Sequence, residues 1–232
     1  MAGRRWMLTQ NGELRPLGIY NWTLPALRAS LPDGRRITTC PAAGVCARFC
    51  YARVGTYQFS NVKAAHARNL AMVVEDLDGW TQAMSDELDH KRYVGKWVRI
   101  HDAGDFFTDE YLQAWMDLAR SHPETTFYAY TREVARFKRM AEGKAPPNFL
   151  WLYSLGGMED GLVDLEHDRH CDVFPSLEAA EEAGYTSQHE DDRHCVTLPT
   201  NKIAVVVNNI PHLKKRQGSE TFGSLQRSRK TE

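Results

Sequence analysis

Short apolar runs alternate with longer amphipathic stretches along most of this 232-residue chain, and that alternation limits the fold more than any other feature. Runs at Arg36–Thr39, Trp97–Ile100, Thr125–Tyr130, Phe149–Tyr153 and Ile203–Val207 have strand character, the last being the most apolar. Helical stretches lie between them. Ser60 to about Lys91 reads as helix broken at Asp78-Gly79. Asp109–Ser121 follows Thr108 as N-cap, Glu133–Ala141 comes next, and Ser176–Ala183 is capped by Ser176 and stopped by Gly184. Strands separated by helices form βαβ units, and such units build parallel sheets. About five strands predict a single α/β domain: a partial or irregular (β/α) barrel-like parallel sheet, not a closed eight-fold barrel. Asn11-Gly12 between semi-apolar flanks is a hairpin-like signal. No linker rich in Pro, Gly or Ser divides the chain, so one domain is expected over residues 1–212, followed by a basic, mobile tail over 213–232.

Composition enters at the next step. Hydrophobic residues are 42% and charged residues 25%, ordinary for a globular chain and unlike a disordered or fibrous one. No apolar run approaches the roughly eighteen residues of a membrane helix. The two arginines near the start have no apolar stretch behind them, so no secretory leader is expected and the predicted location is the cytoplasm. In a reducing compartment, five cysteines point to metal or redox chemistry and not to disulfides.

Three of those cysteines carry the chemistry. Cys40, Cys46 and Cys50 lie within eleven residues, spaced C-x5-C-x3-C, in a loop holding Pro41 and Gly44. Soft thiolates select zinc, cuprous copper or an iron–sulfur cluster. Structural zinc usually shows paired C-x2–4-C units, often with His; this triplet contains no His, and its spacing does not repeat. Three thiolates with a remote or missing fourth suit a [4Fe–4S] cluster better. The placement agrees. With Arg36–Thr39 as first strand, the loop leaves its carboxyl end, where sites of parallel α/β folds gather. The following strands end in His101-Asp102-Ala103-Gly104-Asp105, in Thr131-Arg132, and in Ser154 before Gly156-Gly157. His101 and Asp105 are therefore expected at the cofactor, and Asn21-Trp22 is expected to cover the cluster or to join the core.

Cys171 and Cys195 are the candidates for a fourth thiolate. Cys195 is preferred, because it precedes the strongest strand, whereas Cys171 falls in an acidic stretch. Each follows a histidine in a repeated Asp-Arg-His-Cys, at 168–171 and 192–195, so a zinc site on His170, Cys171, His194 and Cys195 is the alternative for this pair. Nothing around the two copies matches, so they are not a structural repeat.

Charge is segregated. Residues 1–70 carry ten Lys/Arg against Glu13 and Asp33. Residues 158–194 carry twelve Asp/Glu against Arg169 and Arg193, and the tail is basic again. The basic amino-terminal region and tail suggest an anionic partner, a nucleic acid or an acidic protein. Mutual neutralisation in the fold is the simpler explanation.

The run from Cys40 to Ala52, the segment Gly55–Val62, the segment Arg99–Phe106 and the run Phe127–Thr131 together resemble the actinobacteriophage "gene product eighty-eight" family. Asn21–Ala26 resembles its amino-terminal segment. The resemblance covers most of residues 18–160. It implies a phage-encoded iron–sulfur protein, acting in the host cytoplasm, with a barrel-like fold distantly similar to radical S-adenosylmethionine enzymes. On it the ligands are Cys40, Cys46 and Cys50, with a further cysteine best matched by Cys195. Those enzymes usually have C-x3-C-x2-C with an aromatic residue before the last cysteine. Phe49 fits that pattern, but the spacings of five and three do not. A fourth thiolate would also close the iron that such enzymes leave open. The expected function is thus a [4Fe–4S] protein whose cluster is structural, sensory or redox, without turnover of its own. A radical-enzyme-like catalyst and a zinc-stabilised nucleic-acid-binding module are the alternatives.

Overall fold

The computed structural model describes residues 6–207 and 210–229. Residues 1–5, on which the reading of the amino-terminal arginines rests, lie outside the described part.

Seven strands form one parallel sheet. They are β1 (Ile19–Trp22), β4 (Trp97–Ile100), β5 (Thr126–Thr131), β6 (Phe149–Ser154), β7 (His170–Phe174), β8 (Thr186–Ser187) and β9 (Lys202–Val206). Their order is β1-β4-β5-β6-β7-β9-β8, and every pairing is parallel. β2 (Arg28–Ser30) and β3 (Arg36–Thr38) form a separate antiparallel hairpin. The helices are α1 (Ser60–Glu75), α2 (Leu77–Leu88), α3 (Asp109–Ser121), α4 (Val134–Met140), α5 (Leu177–Glu182), α6 (His194–Thr197), α7 (Pro211–Gln217) and α8 (Phe222–Arg229).

The α/β single-domain expectation holds: the sheet is open and irregular, not a closed barrel. Its strands alternate strictly between two environments, as a pleat requires. Val98, Ile100, Phe127, Ala129 and Phe149 belong to the main core with Trp80, Met84, Leu112, Trp115 and Phe137 of the helices. Their neighbours in the same strands face the other way. Ile19, Tyr128, Leu152, Cys171 and Ile203 form a second apolar layer with Leu14 and Cys195. Two residues further toward the carboxyl ends on the same face, Asn21, Arg99, Tyr130, Ser154, Val173 and Val205 line a cavity of about 1680 Å³. An apolar floor therefore lies under a polar chamber.

Several sequence expectations need correction. Arg36–Thr38 is extended but pairs with β2; the first strand of the main sheet is β1, a fully buried run that no polar alternation marks. β7 lies in the acidic stretch 158–194 and is nonetheless a buried strand of the main sheet. Its His170, Asp172 and Phe174 face away from the cavity, where His170 meets Tyr185 and Asp172 meets α8. Asn11 accepts from the amides of Glu13 and Leu14 in an Asx-type turn, and only a single bridge, Thr9 to Asn21, links the flanking segments. The α1–α2 break falls at Asp76, whose carboxylate accepts from Gly79, two residues earlier than the Asp78-Gly79 signal. The carboxyl-terminal segment, expected to be a mobile tail from 213, forms α7 and α8 and buries Leu213, Gln217, Phe222 and Gln226. Asp172 ties it down by accepting from the Thr221 hydroxyl at 2.6 Å and the Gly223 amide at 2.9 Å.

Among the described residues, no helix is long and apolar enough to cross a membrane.

Candidate metal centre at the carboxyl edge of the sheet

The loop from Cys40 to Cys50 follows the β2–β3 hairpin in the crossover from β1 to β4, and crossovers leave at the carboxyl edge of a parallel sheet. Cys40, Cys46 and Cys50 all line the cavity there. Short-range ties hold the loop from several parts of the fold. Glu133, just past β5, accepts from the Ala42 amide at 2.7 Å. The Gly156 carbonyl, just past β6, accepts from the Cys46 amide at 3.1 Å, and Met158 donates to the Ala42 carbonyl at 2.8 Å. Gln226 of α8 accepts from the Val45 amide at 2.6 Å. Phe222 packs on Phe49 with ring centroids 5.1 Å apart. Asp160 in turn fixes the Gly156 and Gly157 amides, each at 2.8 Å. So three thiols project from a loop whose backbone groups are spoken for.

Burial pushes the Cys40 thiol up to about 12 and raises Cys50 as well, with neighbouring acidic and thiol groups adding to the effect. Left alone, these thiols stay protonated near neutral pH; a bound cation is what would make thiolates of them. Arg132 stands beside them. Its amide donates to Asp105 at 2.9 Å, but its guanidinium makes no hydrogen bond or ion pair among the described residues, and its Nε is buried. Cys40, Cys46, Cys171 and Asp105 are its charge neighbours. The Asp105 and Asp160 carboxylates feel its charge without forming an ion pair with it, so the half-buried guanidinium stays open to a further negative group in the cavity. Gly157 makes room for its stem, since a Cβ there would lie 3.1 Å from Arg132 Cβ.

The expected cofactor contacts all reach the cavity wall: Asn21, His101 and Asp105 line it. Asn21 is internally satisfied, donating to Thr23 at 2.9 Å. Asp105 accepts from the Thr131 hydroxyl at 2.7 Å and from the Arg132 and Phe106 amides, which makes it a tie between the ends of β4 and β5. His101 Nε2 lies 2.7 Å from the Tyr111 hydroxyl. Burial drives its pKa down to about 3, so the ring is neutral, and its Nδ1 has no partner.

Cys195 is not brought to the triplet. It sits in the apolar floor with Cys171, Tyr128 and Ile203, and its charge neighbours are Asp192, Tyr130 and Arg99. The reason is directional. Arg169, the residue just before β7 and so at the amino edge, donates to the Cys195 carbonyl at 3.3 Å and to the Leu198 carbonyl at 2.7 Å, which draws α6 toward that edge. The order that recommended Cys195, just ahead of a buried strand, is what separates it from a loop at the carboxyl edge. Cys171 is nearer, sharing Arg132 as a neighbour, but it does not line the cavity either. The zinc alternative fails on strand geometry, because His170 and Cys171 are consecutive in β7 and face opposite sides. Among the described residues, no three His, Cys, Asp or Glu converge as ligands of one ion. Thiolates of a cluster bind different irons and stand farther apart, so that finding speaks to mononuclear sites only.

Sequence reasoning missed part of the polar wall. Asp192 accepts from Arg99 Nη1 at 3.2 Å, from the Tyr130 hydroxyl at 3.0 Å and from the Tyr128 hydroxyl. Asp102 accepts from the Tyr57 hydroxyl through its carboxylate and from the Tyr51 hydroxyl through its carbonyl. Asp192 and the 188–192 segment lie some ninety residues from Arg99, with no local signal to join them.

The fold and the site define an α/β protein with an open parallel sheet and a thiol-lined cavity at its carboxyl edge. The chain belongs to the Gene product 88 family, which it matches over residues 2–231. It is similar to the Gene 88 protein of Mycobacterium phage L5, 31% identical over 110 residues, which is 44% of this chain and 46% of that protein. It is also similar to the Gene 88 protein of Mycobacterium phage D29, 30% identical over 110 residues, or 44% and 45% of the two chains. The match thus spans under half the length of these curated relatives. No solved structure matches.

Proposed function

We propose that this chain holds a [4Fe–4S] cluster on Cys40, Cys46 and Cys50, with one iron free of protein thiolate and turned to the cavity. The observation that supports it is the pairing of three cavity-lining thiols on one braced loop with the guanidinium of Arg132, which makes no ion pair among the described residues. A cluster bound by thiolates carries net negative charge, which suits both that cation and the otherwise neutral thiols. When bound, such a group supplies one-electron chemistry and an iron able to take a ligand.

The chain's own residues do the rest. Glu133, Gly156 and Gln226 keep the loop in place. Arg132 balances charge. Tyr51 and Tyr57, held on Asp102, line the cavity beside Cys50. Cys195 is not among the residues lining the cavity, and this supports a second reading beside a structural, sensory or redox cluster: a catalyst distantly like radical S-adenosylmethionine enzymes, for which an iron without a fourth thiolate would be required.

Anaerobically purified protein tests the proposal. About four irons and four labile sulfides per chain are expected, with broad visible absorption that bleaches in air or with dithionite. Cys46→Ser should lose that absorption, while Cys171→Ser and Cys195→Ser retain it. A colourless protein with one zinc and no labile sulfide would overturn the proposal. Loss of the absorption in Cys195→Ser alone would restore a fourth protein ligand.

A further inference from the structure

Between Asp33 and Glu75 the chain has no acidic residue, and it carries Arg35, Arg36, Arg48, Arg53, Lys63 and Arg68. This stretch includes the cysteine loop and most of α1; it contributes Arg68 to the cavity lining, with Arg48, Arg53, Phe59 and Lys63 interspersed among other lining residues of the same segment. Arg48, Arg53, Lys63 and Arg68 are exposed, and among the described residues none of them forms an ion pair. The acidic blocks do not neutralise them: Asp33 pairs with Arg35, Asp191 with Arg193, and Asp192 with Arg99. The carboxyl-terminal segment adds a cation beside the same stretch. Arg216 of α7 lies with its guanidinium 5.6 Å from the Phe49 ring centroid and donates to the Arg48 carbonyl. Neutralisation within the fold, the simpler explanation of the segregated charge, therefore does not operate here.

An exposed aromatic accompanies the charges. Phe59, immediately before α1, is 58% exposed, the largest exposure among the large apolar side chains described. Lys63 follows it by one helical turn, its amide donating to the Phe59 carbonyl. An acidic protein would use the charges but has no need of a bare aromatic ring. Single-stranded nucleic acid uses both: phosphates track a basic rim while an unpaired base stacks on an aromatic face. In a duplex the bases are already stacked on one another and offer the ring nothing.

We infer that single-stranded nucleic acid binds along this basic stretch beside the cavity, its phosphates on Arg48, Arg53, Lys63 and Arg68 and one base on Phe59. The inference does not depend on the cluster. It locates an anionic partner on the segment that carries the cysteines.

Polarisation of fluorescent mixed-sequence 12-mers, DNA and RNA, with the full chain tests it. Four phosphate contacts on a single strand give a salt slope near −2.8, so affinity should fall about fifty-fold from 50 to 200 mM salt. Arg53→Glu/Lys63→Glu/Arg68→Glu should weaken binding at least ten-fold and flatten the slope to about −0.7. Phe59→Ala should weaken it about five- to thirty-fold with the slope unchanged. Lys63→Glu alone, a single exposed position, stands in should the triple variant fold poorly. Lys144→Glu, across the molecule, should bind as the parent does. Whichever of DNA and RNA binds tighter names the source. Absence of binding at 50 mM salt, unaltered affinity in the reversed variants, or preference for a duplex over the single strand would each overturn the inference. Visible absorbance and metal content of the same samples report separately on the cluster: a colourless chain that still binds the strand sinks the proposed function alone.

Discussion

Gly44 offers the sharpest test of how the cysteine loop is held. A Cβ there would stand 2.3 Å from Gln226 Oε1 and 2.8 Å from the Gly156 carbonyl oxygen. Those two oxygens are the acceptors for the Val45 and Cys46 amides, at 2.6 and 3.1 Å. The glutamine can swing aside, but the Gly156 carbonyl is main chain, and the Asp160 carboxylate pins its residue. Gly44→Ala therefore strands one buried amide and strains a second. At about 1–3 kcal/mol for each unsatisfied buried donor, the cost is about 2–5 kcal/mol. That is a large share of the roughly 5–15 kcal/mol that holds a domain together. Urea unfolding followed by tryptophan fluorescence measures it. Gly12→Ala is the control: its Cβ would meet nothing within 4 Å, so its effect should stay within about 0.5 kcal/mol. Gln226→Ala removes the same bond to Val45 from the other side, so the double variant should cost less than the sum of the singles by about 1 kcal/mol. A Gly44→Ala protein as stable as its parent, or full additivity in the double variant, would refute the reasoning.

Other consequences concern the groups around the loop. Arg132→Met should shorten the lifetime of the visible absorption several-fold, because the cation beside the thiols is lost; equal lifetimes would count against its role as counter-ion. Asp192→Asn should cost about 2–3 kcal/mol in urea unfolding, since Arg99 and two tyrosine hydroxyls lose a charged acceptor. In Arg99→Met that cost should shrink, and a cost below 0.5 kcal/mol in the parent background would remove the network from the account. Glu133 is pushed up to about 7, chiefly by burial and then by Asp105. An acid raised in the folded state contributes stability that is complete below its unfolded pKa, near 4.5, and is lost as pH rises through 7. The parent should therefore lose about 1–3 kcal/mol across that window, and Glu133→Gln should flatten the profile. Identical pH profiles would show that Glu133 does not titrate there.

Membership of the Gene product 88 family links this chain to mycobacteriophage proteins without assigning it a chemistry. What the structure adds is a position. Three thiols, a cation that forms no ion pair among the described residues and a polar chamber share the carboxyl edge of an open parallel sheet, and a basic stretch lies beside them.

Local pattern determined the strands Trp97–Ile100, Phe149–Ser154 and Lys202–Val206 almost to the residue, because each is an apolar run bounded by polar or turn-forming neighbours. It determined the caps at Thr108 and Ser176, since an N-cap needs only the residues that follow it. The cysteine triplet was legible for the same reason: all three thiols lie within eleven residues. Tertiary structure alone decided where the loop's partners come from. Ala42 is held by a residue 91 positions away and Val45 by one 181 positions away, separations that leave no periodic trace. It decided that an acidic segment holds the buried strand β7, because His170 and Asp172 find their partners in Tyr185 and α8. It decided the depth of Cys195 as well. Composition says how buried a cysteine is apt to be, but only the direction of the strands says at which end of the sheet it is buried, and here that end is the floor.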